Sequence, residues 1–161
     1  MKKILLILFL YSNFINAQEL AVDNSSKITI ENGASLNIGG LELAPSTAYD
    51  ISGAITITKS ETPITGSNGT SIDRVYNNSN AMNDFEGTMT FHYEDIELLN
   101  SGANESTLKL QVKESPSGIW APFTGTIDQA LNTITYTFSS IDFLSITASG
   151  DGITLPVKIL G

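Results

Sequence analysis

Apolar and polar residues alternate one by one through much of this chain, and that period admits one kind of regular structure. A period of two puts successive side chains on opposite faces of a β-strand. In the segment 88–97, Met89, Phe91 and Tyr93 fall on one face and Thr90, His92 and Glu94 on the other. Leu108, Leu110 and Val112 alternate with Lys109, Gln111 and Lys113, which are expected to face out. Ile134, Tyr136 and Phe138 alternate with threonines, and 141–148 reads as a last strand rich in β-branched and aromatic residues. A slip of one residue would expose a whole apolar row, so the register of these strands is strongly specified. The helical period of 3.6 has no clean run of comparable length outside the first seventeen residues.

The first half repeats the pattern in miniature. Ile28-Thr29-Ile30, Leu36-Asn37-Ile38, Leu41-Glu42-Leu43 and Ile55-Thr56-Ile57 are apolar-polar-apolar triplets. Asn32-Gly33, Gly39-Gly40, Pro45-Ser46 and Ser52-Gly53 separate them, and these are turn dipeptides. Their irregular spacing favours hairpins over the rungs of a solenoid. Residues 61–69, with Pro63, Gly66 and Gly69, read as a linker, and 77–84, with four Asn, as a polar loop. The fold class expected is all-β: an antiparallel β-sandwich of the immunoglobulin-like or jelly-roll-like kind, preceded by a layer of short strands.

Residues 1–17 carry a different signal. A basic start at Lys2-Lys3, an apolar run over 4–10 and a small-residue exit at Asn16-Ala17 read as a secretory signal peptide. The run is too short for a membrane span, which needs roughly 20 apolar residues. The expected organisation is a signal peptide over 1–17, a short-strand region over 18–62, a linker-like loop over 63–70, a β-sandwich module over 71–152 and a tail over 153–161. The expected location is secreted or on the cell surface, with no membrane insertion after cleavage. The chain of 161 residues has no cysteine, which excludes disulfides and thiol chemistry. Its net charge of −9 argues against nucleic acid as a partner, because phosphate binding needs clustered Lys and Arg.

The order Phe91-His92-Tyr93-Glu94-Asp95-Ile96-Glu97-Leu98, Asn104-Glu105-Ser106, Leu108-Lys109-Leu110, Trp120, Asn132-Thr133-Ile134-Thr135 and Ile141-Asp142-Phe143-Leu144-Ser145 resembles a module of exported Bacteroidetes (flavobacterial) surface proteins. The stretch Ile72-Asp73-Arg74-Val75-Tyr76 is similar to the lead-in strand of that module, and the Asn16-Ala17-Gln18 junction is similar to signal exits common in that phylum. The resemblance implies a β-sandwich building block of large, often adhesin-like proteins associated with type IX secretion. On the same resemblance, 153–161 looks like a linker into a further module.

Candidate chemistry is sparse. Glu94, Asp95, Glu97 and Glu105 are hard oxygen donors of the kind Ca²⁺ takes, although no dense Asp/Asn/Gly loop accompanies them. The alternative is a solvated strand end whose carboxylates pair with Lys109 and Lys113. The same acids could serve glycoside hydrolysis, which uses paired carboxylates. His92 is the sole histidine, and no G-x-S-x-G elbow accompanies it. Trp120, the sole tryptophan, could form a sugar platform with Phe123 or Tyr76, or be a packing residue. The expected function is therefore a non-enzymatic structural or adhesive module contacting surface glycans or neighbouring modules, with no required cofactor. A carbohydrate-binding module built on Trp120 is the alternative, and an acid-dependent hydrolase stands behind it.

Overall fold

The computed structural model describes residues 17–66 and 69–152. The expected signal peptide, apart from Ala17, and the tail over 153–161 lie outside the described residues.

The chain is all-β and antiparallel, as the alternation predicts. It runs β1 (Ala17–Val22), β2 (Lys27–Ile30), β3 (Leu36–Ile38), β4 (Leu41–Pro45), β5 (Tyr49–Ser52), β6 (Ile55–Ser60), β7 (Thr65–Gly66) and β8 (Gly69–His92). It continues through α1 (Asp95–Ser101), a 3₁₀ turn over Glu105–Thr107, β9 (Lys109–Lys113), β10 (Trp120–Phe123), β11 (Thr126–Asp128) and β12 (Thr133–Ser149). Among the described residues, ten strands form one sheet whose main path is β1-β6-β8-β12-β9-β10; β2 and β5 form a small second sheet.

Two long strands organise everything else. β8 pairs with β12 along almost its whole length, from Ser71↔Ser149 to His92↔Thr133. One end of this ribbon carries β4 through Leu43↔Met89 and β11 through Ile127↔Ile134. The other end carries β6 through Lys59↔Tyr76 and β9 through Val112↔Ile146. The ribbon bends between these ends, so the halves of one sheet face each other as the layers of a sandwich. Tyr76 from one end meets Phe91 from the other, ring centroids 5.8 Å apart and edge to face.

The bend explains a correction. Residues 77–84, read as a polar loop, lie inside β8. The ladder runs Asn77↔Ser145 and then Met82↔Phe143, so residues 78–81 bulge opposite Leu144 alone. Side chains replace the broken ladder: Asn78 Nδ2 donates to the Phe143 carbonyl at 3.1 Å, and the Asp84 N–H donates to Asp142 Oδ1 at 2.8 Å. The same corner joins the segments expected as separate strands over 133–138 and 141–148 into the single strand β12.

Three more expectations change. The strand read over 88–97 stops at His92, and Asp95–Ser101 is helical. Gln111, expected to face water, is fully buried. The described part of the segment read as a linker, 61–66, is tied to β8, with the Ile64 N–H donating to Ser71 Oγ at 2.6 Å and the Ser71 N–H to the Ile64 carbonyl at 2.8 Å.

One apolar cluster runs through both halves of the chain and includes Leu41, Leu43, Ile57, Phe85, Met89, Phe91, Leu110 and Phe143. Each such side chain contributes roughly 1.5–3 kcal/mol by leaving water. Phe123 of β10 closes one side of the sandwich against Phe138 and Tyr136 of β12, at centroid distances of 4.9 and 5.1 Å. On the outer face, Thr88 meets Thr137 at 2.9 Å, the cross-strand threonine pairing that stabilises a wet sheet surface.

Candidate functional site

The alternation of β8 places Ile72, Arg74 and Tyr76 on one face, directed at the interior. Arg74 is the only arginine of the chain, and it is buried. A buried guanidinium needs an ion partner, because an unpaired charge in the interior costs several kcal/mol.

The partner arrives on α1. The chain leaves β8 extended, with Glu94 at φ −120° and ψ 149°, and the Glu94 N–H donates to Glu97 Oε2 at 2.8 Å. This reach-back from the third helical residue is one arm of a capping box. Gly102 ends the helix in the left-handed region at φ 66° and donates to the Leu98 carbonyl at 2.9 Å. Asp95 and Glu97 in the first turn suit the positive end of the helix dipole.

Glu97 thereby holds two donors. Its Oε1 accepts from Arg74 Nε at 2.8 Å while its Oε2 accepts the cap N–H. Arg74 Nη2 donates outward to Glu94 Oε1 at 3.1 Å, and Nη1 to the Gly39 carbonyl at 3.4 Å. The Tyr76 hydroxyl donates to the same carbonyl at 2.5 Å. Burial pulls the guanidinium pKa down, and the hydrogen bond and charge of Glu97 more than offset this, leaving it raised. Burial pushes the Tyr76 hydroxyl up to about 12 against the opposing pull of Arg74. Gly40 makes the close approach possible: a Cβ there would lie 2.4 Å from Arg74 Nη1 and 3.1 Å from the Tyr76 hydroxyl oxygen.

A cleft of about 310 Å³ opens beside the pair, lined by Lys59, Glu61, Asp73, Glu94, Ile96 and Asn100 among others. A second, shallower cleft of about 450 Å³ is lined by Ser106, Asp128, Gln129 and their neighbours.

The acidic residues singled out from the sequence do not converge. Glu94 and Glu97 share Arg74, Asp95 Oδ1 accepts from Asn132 Nδ2 at 2.8 Å, and Glu105 Oε1 accepts from the Tyr93 hydroxyl at 2.8 Å. Burial and the hydrogen bond to Glu105 together raise the Tyr93 pKa well above its ordinary value. Each carboxylate has an organic donor where a calcium site would need it free. Among the described residues no group of three or more His, Asp or Glu side chains is placed to hold a metal. The ion partner of Glu94 and Glu97 is Arg74 and not Lys109 or Lys113, because α1 packs on β8 and sets Glu97 against the buried guanidinium.

The aromatic candidates separate too. Tyr76 is a core residue, 1% exposed, and cannot share a surface platform with Trp120. Trp120 is half-buried on β10, next to Ile119, which is 86% exposed. Phe123 belongs to the three-ring cluster with Tyr136 and Phe138. His92 is partly exposed on β8, with its Nε2 3.9 Å from Glu42 Oε2. No helix among the described residues is long and apolar enough to cross a membrane.

Arg74, Glu61 and Asp73 are the residues that sequence reasoning passed over. The available signal was a lone arginine in an acidic chain, set between Ile72 and Tyr76 on an inward face. No family model, curated protein or solved structure matches this chain.

Proposed function

We propose that the chain is a non-enzymatic, exported structural or adhesive β-sandwich module of a bacterial surface or secreted protein. The observation that carries this reading is the use made of the reactive side chains. The lone arginine and four candidate carboxylates are spent on holding α1, the β11–β12 turn and the 3₁₀ turn to the sheet. The continuous β8–β12 ribbon adds to it, because a sandwich whose layers are covalently one sheet suits a spacer that must resist pulling and proteolysis. The basic and apolar start of the sequence supports export, and the resemblance to flavobacterial surface modules supports the location.

The test has two arms. Fusion of residues 1–17 to a reporter should deliver it outside the cytoplasm, and retention inside would overturn export. Purified protein should release no product from a panel of polysaccharides and esters; turnover abolished by Glu94→Gln or Glu97→Gln would establish the hydrolase instead.

Carbohydrate binding stays as a second reading, because Trp120 keeps part of its ring at the surface of an edge strand beside exposed Ile119. Binding on a glycan array that vanishes in Trp120→Ala, with the fold intact, would establish it.

A further inference from the structure

We propose that the outer face of α1 and the cleft beside it form a docking surface for a basic, apolar-anchored segment of a partner protein. Ile96 and Leu99 stand one helical turn apart on the same face, 53% and 75% exposed. Large side chains this exposed are few among the described residues, and two of them share this seven-residue helix. The helix has no need of them for its own attachment, since Glu97 and Leu98 supply the inward contacts. An adjoining apolar pair on a surface element marks an interaction site more often than a scattered single residue does.

Charge selects the occupant. Ile96 also lines the 310 Å³ cleft, whose lip carries Glu61, Asp73 and Glu94. Glu94 is bound to Arg74, whereas Glu61 and Asp73 form no ion pair among the described residues. Among the described residues Lys59 is the one cation at that lip besides buried Arg74. A second copy of this chain, at −9, would bring like charge to the surface. A lysine or arginine side chain fits better: its stem lies along Ile96 while its head reaches Glu61 and Asp73. An apolar neighbour two to four residues away in the partner would then cover Leu99. This inference does not depend on export or on the absence of catalysis.

The experiment titrates the isotope-labelled full chain with a short Lys/Leu peptide and follows backbone amide shifts. A Lys/Ser peptide and a Glu/Leu peptide serve as controls. Shifts confined to 59–61, 73–74 and 94–100 are expected with Lys/Leu, with affinity at least about tenfold weaker for both controls. Ile96→Ser/Leu99→Ser should weaken Lys/Leu binding by about tenfold at an unchanged thermal midpoint, since both side chains are exposed. Glu61→Gln/Asp73→Asn should remove the salt dependence. Shifts spread over the whole acidic surface, or binding indifferent to Ile96→Ser/Leu99→Ser, would overturn the proposal. So would a concentration-dependent doubling of mass that protects α1 without peptide, which would make the face a self-interface.

Discussion

Arg74 and Glu94 are 20 residues apart in sequence, yet Nη2 of one lies 3.1 Å from Oε1 of the other. Extended chain at ~3.3 Å per residue would set them roughly 66 Å apart. Almost all of the intervening residues are in β8, so the contact measures how completely that strand doubles back. The ion pair ties the start of the strand to the helix that follows its end.

That geometry makes the pair a strong determinant of stability. Arg74→Met leaves the buried Glu97 carboxylate without its cation and should cost ~3–5 kcal/mol in urea unfolding. Glu94→Gln should cost less than ~1 kcal/mol, because Glu94 is 69% exposed and solvent screens it. Arg74→Met with Glu97→Leu should be more stable than Arg74→Met alone, since it leaves no orphan charge. Equal losses for Arg74→Met and Glu94→Gln would show that the buried partner is not the one that matters.

Gly87 provides a separate check on the β4–β8 seam. Its φ is 146°, and an added Cβ would fall 2.4 Å from the Ala44 carbonyl oxygen and 2.5 Å from Pro45 Cα. Both are backbone atoms that cannot swing aside. Gly87→Ala should therefore push β4 off β8 and destabilise by about 2 kcal/mol or more. Gly53→Ala, at φ 86° with open space around it, should cost only the ~1 kcal/mol of a left-handed alanine. Denaturant midpoints of the two variants should separate clearly.

The parts of this fold legible in the sequence are those where one face meets core and the other meets water. Met89-Phe91-Tyr93 and Leu108-Leu110-Val112 alternate cleanly, and each of these residues is buried. Reading failed where that condition fails. Residues 77–84 are polar because a corner must satisfy backbone groups with side chains, so a strand there looks like a loop. Gln111 and Thr147 are paired across the sheet and both fully buried, so polarity did not report exposure. α1 has seven residues, too few for a 3.6 period, and its marks were the Glu94–Glu97 spacing and Gly102. The arginine site needed two segments 23 residues apart, and no local pattern carries that information.

Calcium should not contribute to stability. With Asp95 held by Asn132 and Glu105 by Tyr93, a cation would have to displace existing donors. Excess EDTA, or millimolar calcium, should move the thermal midpoint by less than about 1 °C. That bound follows because a ligand at 100 times its Kd would add about 2.7 kcal/mol, a shift of several degrees. A calcium-dependent rise of that size would restore the acidic residues as a metal site.

Alkaline pH should unfold the protein through its tyrosines. Burial, with smaller contributions from Asp142 and Asp84, pushes the Tyr49 hydroxyl up to about 12, and burial brings Tyr76 to about 12 as well, from an ordinary 10.0. Below pH ~10 both folded and unfolded chains keep these protons, and the stability is complete. Between ~10 and 12 the unfolded chain ionises and the folded one does not, so stability falls as pH rises through that window. Tyr76, essentially without solvent contact, should account for ~2–3 kcal/mol of the loss at the folded pKa and above. Tyr76→Phe removes this titration together with the hydroxyl's bond to Gly39. The variant should therefore be weaker by ~1 kcal/mol at pH 7, yet lose less between pH 10 and 12 than the unaltered chain. Urea midpoints across that range, with tyrosinate absorbance as the proton count, measure both effects. A Tyr76→Phe chain as alkali-sensitive as the original would place the titrating group elsewhere, with Tyr49 the first to examine by the same substitution.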